Sequence, residues 1–154
     1  MKTNNLDNNI KYDVIIYGAS SFTGKLITEY FYINYPNSEN FSWAIAGRNP
    51  EKLKTTLNDI IEKNSHVISR KINLITADSN DISALNKLTC QTKVILTTVG
   101  PYAKYGSKLV QSCVSNGTDY CDLAGETQWI RKMIDMHQEE AEKNGSRIVH
   151  SCGF

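Results

Sequence analysis

The chain has 154 residues, of which 40% are hydrophobic, with 17 lysines and arginines against 16 aspartates and glutamates. This profile is typical of one ordinary globular domain, and the length suffices to bury a core without disulfides or a structural metal. The net charge of +1 provides no concentrated basic patch for phosphates, so we expect no nucleic-acid partner.

The N-terminus and the cysteines bear on where the protein resides. Residues 1–11 are rich in asparagine and lack the basic start and apolar core of a secretory signal, so we expect a disordered tail and a cytoplasmic protein. No run approaches the roughly 18 to 20 apolar residues of a membrane span, so we expect no span. The cysteines lack zinc-site spacing, and we expect no metal; they are Cys90, Cys113, Cys121 and Cys152.

In the first third of the chain, short β-branched runs alternate with segments whose apolar residues recur at helical spacing. This pattern predicts strands at 13–17 and 42–46, a helix at 23–34, and a second helix at 50–63 that Asn49 caps. The predicted buried face of the first helix consists of Leu26, Ile27, Tyr30 and Phe31. That of the second consists of Leu53, Leu57, Ile60 and Ile61.

The middle of the chain continues the alternation. A third strand is predicted within 67–77, and Asp81 caps the short helix that follows it. A fourth strand at 94–98 precedes a helix that ends at Asn116 and Gly117, because glycine there is a strong helix stop.

The last predicted elements are a strand at 120–123, a helix that ends at Gly145, and a strand at 147–151. Parallel strands need right-handed crossovers, so this alternation predicts an α/β fold: a doubly wound parallel sheet of Rossmann type, with about six strands and helices on both faces. We expect residues 12–154 to form one dinucleotide-binding domain. Its ligand crevice should lie at the carboxyl ends of strands one and four.

The loop after the first strand, Gly-Ala-Ser-Ser-Phe-Thr-Gly at 18–24, is placed where backbone amides and a helix N-terminus bind a dinucleotide pyrophosphate. The first glycine permits a tight turn and the last lets helix and strand approach. A simple small-residue turn is the alternative, and the spacing is not that of a P-loop. The candidate residues are Gly18, Ser20, Ser21, Phe22, Thr23 and Gly24.

The end of strand two distinguishes NAD from NADP, since an acidic residue there binds the ribose hydroxyl and a basic one accommodates a 2′-phosphate. The sequence offers Arg48 and, one helical turn later, Lys52, so NADP is favoured. Both can equally be solvated surface residues. Asp78, after strand three, is a candidate for the adenine amino group or an ordinary turn residue.

The end of strand four should line the nicotinamide-ribose pocket. Tyr105 and its neighbour Tyr102 are either substrate contacts or ordinary loop aromatics. Asp122 and Glu126 are candidate acids or bases at the sheet edge, although helix capping also explains Glu126. We assign no catalytic residue and expect His150 to be a packing residue. The candidate pocket residues are Thr98, Val99, Gly100, Pro101 and Tyr102.

Several sequence blocks occur together along the chain: DVIIYGASSFTGKL, AGRNPEKL, TTVGPYAKYG, NGTDYCDLAGE and HSCGF. With them, residues 13–154 resemble the N-terminal NADP-binding domain of saccharopine dehydrogenase-like oxidoreductases, on the branch similar to trans-acting enoyl reductases. Ser21 stands where that family usually has a glycine. The resemblance implies NADP as cofactor, and a following domain that supplies the pocket for a small-molecule substrate and a dimerisation surface. We therefore expect a fragment of a longer oxidoreductase, with a homo-oligomer possible.

Two functions remain open at this point. One is hydride transfer by an NADP-dependent oxidoreductase in the full-length protein. The other is a non-catalytic NADP-binding scaffold or sensing module. A short-chain dehydrogenase is disfavoured, because no tyrosine of the chain is followed by lysine at Tyr-x-x-x-Lys spacing.

Overall fold

The computed structural model describes residues 10–36, 40–69 and 71–153. Its strands are β1 (Tyr12–Tyr17), β2 (Trp43–Gly47), β3 (Asn73–Thr76), β4 (Thr92–Thr97), β5 (Asp119–Asp122) and β6 (Ile148–Val149). Its helices are α1 (Phe22–Asn34), α2 (Pro50–Lys63), α3 (Ile82–Thr89), α4 (Tyr102–Tyr105), α5 (Ser107–Asn116) and α6 (Thr127–Asn144). None of the helices within these ranges is long and apolar enough to cross a membrane.

The strands form one sheet of six parallel strands in the order β3-β2-β1-β4-β5-β6. The chain winds outward from β1 through β2 to β3, crosses back to β4 beside β1, and winds outward again. The predicted doubly wound fold is confirmed. The winding direction reverses between β1 and β4, whose carboxyl ends therefore open a crevice.

Two hydrophobic clusters, one on each face of the sheet, hold the helices in place. On one face, Ile16 and Ile45 pack with α1 and α2 through residues such as Leu53. On the other, Ile15 and Ile95 pack with α3, α5 and α6. Because both faces of this parallel sheet carry helices, the isoleucines of its central strands, Ile15, Ile16, Ile45 and Ile95, are fully buried.

Local signals for the helix ends are confirmed. Asn49 caps α2 by accepting the N–H of Lys52 at 2.9 Å, and Asp81 caps α3 in the same way. Gly117 and Gly145 end α5 and α6 in the left-handed conformation, with φ of 65° and 76°. These caps depend on residues close in sequence, which is why they can be predicted.

The buried face predicted for α1 is wrong in part. The residues that face the sheet are Gly24, Thr28 and Tyr32, whereas Leu26 and Tyr30 are exposed. The close contact of Gly24 with the backbone of Gly18 and Ala19, directly after β1, decides which side of the helix turns inward. Residues four and eight positions later lie on that side. Ile61 on α2 is also exposed, contrary to prediction.

Two predicted boundaries, the last strand and the end of the N-terminal tail, differ from the structure. β6 comprises Ile148 and Val149 alone, shorter than the predicted strand. At the start, residues 1–9 of the predicted tail lie outside the described residues. Lys11 donates its N–H to the carbonyl of Gln91 at 2.8 Å, so it already belongs to the domain's hydrogen-bond network.

Candidate functional site

The loop between β1 and α1 begins at a glycine that no other residue can replace without strain. Gly18 has φ of +90°, and a Cβ there would lie 2.7 Å from the Val99 side chain and 2.8 Å from the Thr98 hydroxyl oxygen. Its N–H donates to the Ala46 carbonyl at 2.8 Å. The tight turn predicted from the sequence therefore has two causes: backbone conformation and the contact with β4.

Gly24 closes the same loop by bringing α1 against β1. A Cβ at this position would overlap the carbonyl oxygen of Gly18 and lie 2.8 Å from the Ala19 Cα. Both neighbours are backbone atoms, which cannot rotate away. The helix N-terminus is consequently held directly over the carboxyl end of β1, as the glycine spacing predicts.

Ser21 joins this loop to β4 through its hydroxyl. The Ser21 oxygen accepts the N–H of Gly24 at 3.0 Å, and it lies 2.9 Å from the Thr98 hydroxyl oxygen. Because Thr98 donates to the Gly18 carbonyl at 3.1 Å, Ser21 must be the donor to Thr98. The hydroxyl thus both donates and accepts a hydrogen bond within the protein, which explains how serine fits where a glycine is usual.

The first turn of α1 leaves backbone donors for an anion. Ser21 N donates to Gly18 O at 2.9 Å and Gly24 N is capped by the Ser21 side chain. The N–H groups of Phe22 and Thr23 have no acceptor within the helix, as in any first turn. Together with the helix dipole, they favour a phosphate in front of this turn. The Phe22 side chain itself points to solvent, with 83% of its surface exposed.

A cavity of about 290 Å³ opens between the carboxyl ends of β1, β2 and β4. Arg48 and Lys52 line it at the β2 end, next to the α2 cap residue Asn49. No carboxylate is among the described residues that line it. Two cations, with no carboxylate among the described lining residues, make this end of the cavity attractive to a phosphate group.

The wall beyond β3 is formed by Ser79 rather than by Asp78. Asp78 accepts the N–H of Asn80 at 2.8 Å through one carboxylate oxygen, and a contact of Asp78 with adenine stays a prediction. Tyr17 anchors the wall by donating its hydroxyl to the Ala77 carbonyl at 3.1 Å. Burial, with a smaller contribution from Asp78, raises the pKa of Tyr17 to about 12, so the hydroxyl stays protonated.

The opposite wall follows β4, where Thr98, Val99 and Gly100 line the cavity. Pro101, after a cis peptide bond, precedes α4. Tyr102 lies in the core rather than in the cavity: its hydroxyl donates to the Thr97 carbonyl and accepts the N–H of Leu123, both at 3.3 Å. It therefore supports the wall from behind, while Tyr105 lies in the cavity lining.

Glu126 fixes the start of α4. Its two carboxylate oxygens accept the N–H groups of Tyr102 at 2.7 Å and Ala103 at 2.8 Å. Glu126 does cap a helix, as the sequence allows. The helix that it caps is α4, whereas the helix that it precedes is α6. This bond couples the loop after β5 to the cavity wall after β4.

The family comparison agrees with this geometry. Residues 14–149 match the family model described as the saccharopine dehydrogenase NADP binding domain. The lipid droplet localized protein of Caenorhabditis elegans is 39% identical over 144 residues, covering 94% of this chain and 33% of that protein. The trans-acting enoyl reductase of Mycobacterium leprae is 38% identical over 144 residues, covering 94% and 32%.

This chain belongs to the saccharopine dehydrogenase NADP-binding domain family. It is an NADP-binding domain, and its curated relatives include oxidoreductases. A probable mitochondrial saccharopine dehydrogenase-like oxidoreductase of Arabidopsis thaliana is 38% identical over 146 residues. That match covers 93% of this chain and 32% of the relative. The chain thus spans about a third of the length of these relatives.

Solved structures show the same fold. The saccharopine dehydrogenase (L-Glu forming) of Saccharomyces cerevisiae superposes with a TM-score of 0.70 at 18% identity, covering 93% of this chain and 27% of that one. An NADPH-dependent quinone oxidoreductase of Escherichia coli, solved with NADPH, superposes with a TM-score of 0.54 at 18% identity, covering 89% and 47%.

The structure brings together most of the candidate cofactor residues named from the sequence. Those that line the cavity are Gly18, Ser20, Ser21, Arg48, Lys52, Thr98, Val99 and Gly100. Those that do not are Phe22, Thr23, Gly24, Asp78, Pro101 and Tyr102. Sequence reasoning missed four lining residues, namely Tyr17, Gly47, Asn49 and Ser79. Each lies at or just beyond the carboxyl end of a strand, so including every strand end would have found them.

Asp122 and His150 form a buried pair behind the site. Asp122 accepts hydrogen bonds from His150 Nδ1 at 2.7 Å, Tyr120 Oη at 2.8 Å, and the N–H groups of Ser151 and Ala124. Burial alone would raise the pKa of Asp122, but the hydrogen bonds, that of His150 foremost, lower it below its usual value. Asp122 is therefore an ionised structural centre rather than a solvent-facing acid, and His150 is its partner rather than a simple packing residue.

Proposed function

We propose that this domain binds NADP(H) across the cavity, with the 2′-phosphate at Arg48 and Lys52, the pyrophosphate before the first turn of α1, and the nicotinamide beside Val99 and Gly100. The observation that carries the proposal is the pair of cations at the β2 end of a cavity without lining carboxylates. The winding of the sheet reverses between β1 and β4, and dinucleotides bind across this switch point in doubly wound sheets. The reversal therefore supports a cofactor that lies across the cavity.

The residues present fit such a cofactor. A Cβ at Gly18 would fill space against Val99, and the first-turn N–H groups at Phe22 and Thr23 supply donors for phosphate oxygens. When bound, NADPH supplies hydride chemistry. The protein's part is to bind and orient: Arg48 neutralises charge, Gly18 keeps the backbone close, and Thr98 ties the phosphate loop to the nicotinamide wall through Ser21.

We further propose that the longer protein transfers hydride to a small-molecule substrate. This chain spans about a third of its curated relatives, one of which is named an enoyl reductase. One open sheet edge forms one wall of a reaction site, and hydride transfer needs the substrate enclosed and held close. A non-catalytic scaffold would bind NADPH equally well, so turnover by the longer protein separates the two functions.

Calorimetric titration of the chain with NADPH and with NADH tests the binding proposal. We expect NADPH to bind about tenfold more tightly or better, because charged hydrogen bonds to the 2′-phosphate are available only to it. Equal affinities would show that Arg48 and Lys52 do not hold that phosphate. Absence of binding by either would overturn the site itself.

We propose a reducing compartment, the cytoplasm, as the location. The four cysteines are free in the structure. Two relatives carry names that point to lipid droplets and to mitochondria. Fractionation of cells producing the tagged protein tests the proposal; recovery with either organelle would overturn it.

A further inference from the structure

Two cysteine thiols lie together at the carboxyl ends of β5 and β6. Cys121 belongs to β5 and lies directly opposite Val149 in the register of the two strands. Cys152 follows β6, and its thiol donates to the Val149 carbonyl at 3.5 Å. A side-chain hydrogen bond also joins the Cys121 and Cys152 thiols. We call Cys121 and Cys152 the thiol pair.

The backbone after β6 turns back onto β5 and holds Cys152 in this place. Ser151 has φ of +61°, in the left-handed region that residues other than glycine rarely adopt. Its N–H donates to the Asp122 carboxylate at 2.9 Å, and the N–H of Cys152 donates to the Asp122 carbonyl at 2.7 Å. Gly153 packs so closely that a Cβ there would lie 2.5 Å from the Leu123 side chain. The proximity of the two sulfur atoms is therefore built into the backbone.

The two thiols differ in their access to solvent. Cys152 is exposed, whereas Cys121 is half-buried. Burial foremost, and then the neighbouring Cys152 and Asp122, raise the pKa of Cys121 to about 11, so Cys121 stays a thiol at neutral pH. An oxidant in solution consequently meets Cys152 first. Redox-sensing sites often have this arrangement, with one accessible cysteine next to a second cysteine that resolves its oxidised form.

We propose that the thiol pair is an oxidation site, at which hydrogen peroxide converts Cys121 and Cys152 into a disulfide within one chain. In the first step the Cys152 sulfur attacks a peroxide oxygen. An S–O bond forms and the O–O bond breaks, so Cys152 is oxidised to a sulfenic acid, and the leaving hydroxide takes the thiol proton as water.

In the second step the Cys121 sulfur attacks the Cys152 sulfur. The S–S bond forms, the S–O bond breaks, and the leaving hydroxide takes the Cys121 proton as a second water. Two thiols and one peroxide thus give one disulfide and two waters. Because thiols reverse this bond, it fits a reducing compartment, where disulfides are transient.

The other two cysteines are less suited to the reaction. Cys113 is completely buried in α5. Cys90 ends α3, where its thiol donates to the Lys87 carbonyl at 3.5 Å. Neither member of the thiol pair lines the cofactor cavity, so the proposal is independent of the proposed function.

Peptide mapping after peroxide treatment tests the proposal. The reduced chain is treated with hydrogen peroxide, the remaining thiols are blocked with N-ethylmaleimide, and the tryptic peptides are sequenced by mass spectrometry. We expect peptides 109–131 and 148–154 joined to each other, lighter by two hydrogen atoms than their sum. Fragmentation should place the bond at Cys121 rather than at Cys113, which lies in the same peptide. Dithiothreitol should separate the two peptides.

Three variants assign the two roles. Cys121→Ser should leave Cys152 as a sulfenic acid, which dimedone traps. Cys152→Ser should leave Cys121 as a thiol at the same peroxide concentration. The matched control is Cys90→Ser, which should form the joined peptides like the unmodified chain. Circular dichroism verifies that each variant is folded.

Several results would overturn the proposal. They are a bond at Cys90 or Cys113, a bond between two chains, and the absence of joined peptides at every peroxide concentration. The chain unfolded in urea should give a mixture of pairings, because the contact depends on the fold. Equal selectivity in the folded and unfolded chains would contradict the role of the β5–β6 contact.

Thermal unfolding tests whether the fold accepts the bond without rearrangement. The disulfide closes a loop of about 30 residues and so restricts the unfolded chain. We expect the oxidised chain to melt about 5 to 10 °C above the reduced chain, and the same treatment of Cys121→Ser to give no rise. A lower melting temperature after oxidation would contradict the proposal, because the bond would then distort the two loops.

Discussion

At the scale of single residues, the Ser21 hydroxyl links the two loops that form the phosphate end of the cavity. It accepts from Gly24 N and donates to Thr98, whose own hydroxyl donates to Gly18 O. A glycine at this position would leave Gly24 N to water or phosphate and would remove one of the two hydrogen bonds that tie Thr98 to the loop. We therefore expect the serine to contribute mainly to loop rigidity.

Replacing Ser21 separates these roles. Ser21→Ala should lower the free energy of unfolding by about 1 kcal/mol, because an N-cap hydroxyl is lost, and Ser21→Gly by a few tenths. For a domain of this size, the alanine change corresponds to a melting temperature lower by about 2 to 4 °C. Thermal unfolding checks this, and NADPH affinity should stay nearly constant in both. A strong loss of affinity in Ser21→Gly would show that the hydroxyl itself contacts phosphate.

Arg48 is the second residue-scale prediction. Arg48→Ala should reduce NADPH affinity by about tenfold, since a charged hydrogen bond to the 2′-phosphate contributes about 1.5 to 3 kcal/mol. NADH affinity should hardly change, because NADH lacks that phosphate. Fluorescence titration with both nucleotides measures the ratio. A parallel fall in both affinities would indicate that Arg48 stacks on adenine instead.

At the scale of elements, the contact between α1 and β1 is set by one glycine. Gly24→Ala should destabilise the domain by about 1 to 3 kcal/mol, because its Cβ meets the backbone of Gly18 and Ala19, which cannot repack. Gly24→Val should abolish NADPH binding by displacing the helix N-terminus. Urea unfolding and calorimetry measure the two effects.

The matched control for Gly24 is Gly47→Ala. A Cβ there would lie 3.4 Å from the Leu53 side chain, which is ordinary contact. Its effect on the free energy of unfolding should therefore remain below about 1 kcal/mol. Equal destabilisation by the two alanine variants would show that the close approach at Gly24 is not what holds α1.

At the scale of the whole molecule, the loops after β5 and β6 are held by Asp122, and the β5 loop in turn holds the cavity wall through Glu126. Ala124 and Ser151 both donate N–H groups to Asp122, and Glu126 accepts from Tyr102 and Ala103. The cavity wall after β4 is thus supported by the loop after the neighbouring strand β5. A change at Asp122 should affect stability first and cofactor binding second.

Asp122 also makes the stability of the fold depend on pH. Because its pKa is lower in the folded state, it stabilises the fold above the unfolded pKa of about 3.9, and this contribution disappears as pH falls further. Asp122→Asn should lower the free energy of unfolding by about 2 to 3 kcal/mol at pH 7, since two backbone donors and His150 lose their acceptor charge. The difference between variant and unmodified chain should shrink below about pH 4.

Urea unfolding at several pH values measures this difference. The control is Asp135→Asn, which removes an exposed carboxylate paired with Arg131 at 2.7 Å on the same helix. Surface pairs of this kind contribute less than about 1 kcal/mol. If the difference in the free energy of unfolding between Asp122→Asn and the unmodified chain did not change with pH, the shape of the Asp122 side chain rather than its charge would determine its role.

Much of the architecture follows from the sequence because its signals are local. The alternation of strands and helices, the caps at Asn49 and Asp81, and the stops at Gly117 and Gly145 each depend on residues a few positions apart. The cavity between β1 and β4 can be predicted as well, because the winding direction of a doubly wound parallel sheet reverses there. The positions of the loop glycines and of Arg48 were therefore predictable.

Tertiary structure alone decided which side of α1 faces the sheet and what the polar residues near the site contact. Hydrophobicity favoured Leu26 and Tyr30 inward, but the backbone contact at Gly24 turned them outward. Glu126 caps a helix 24 residues earlier in the chain, and His150 pairs with Asp122 across 28 residues. Such choices depend on distances between strands that periodicity does not contain, because close packing and hydrogen-bond geometry are set only when the sheet has assembled.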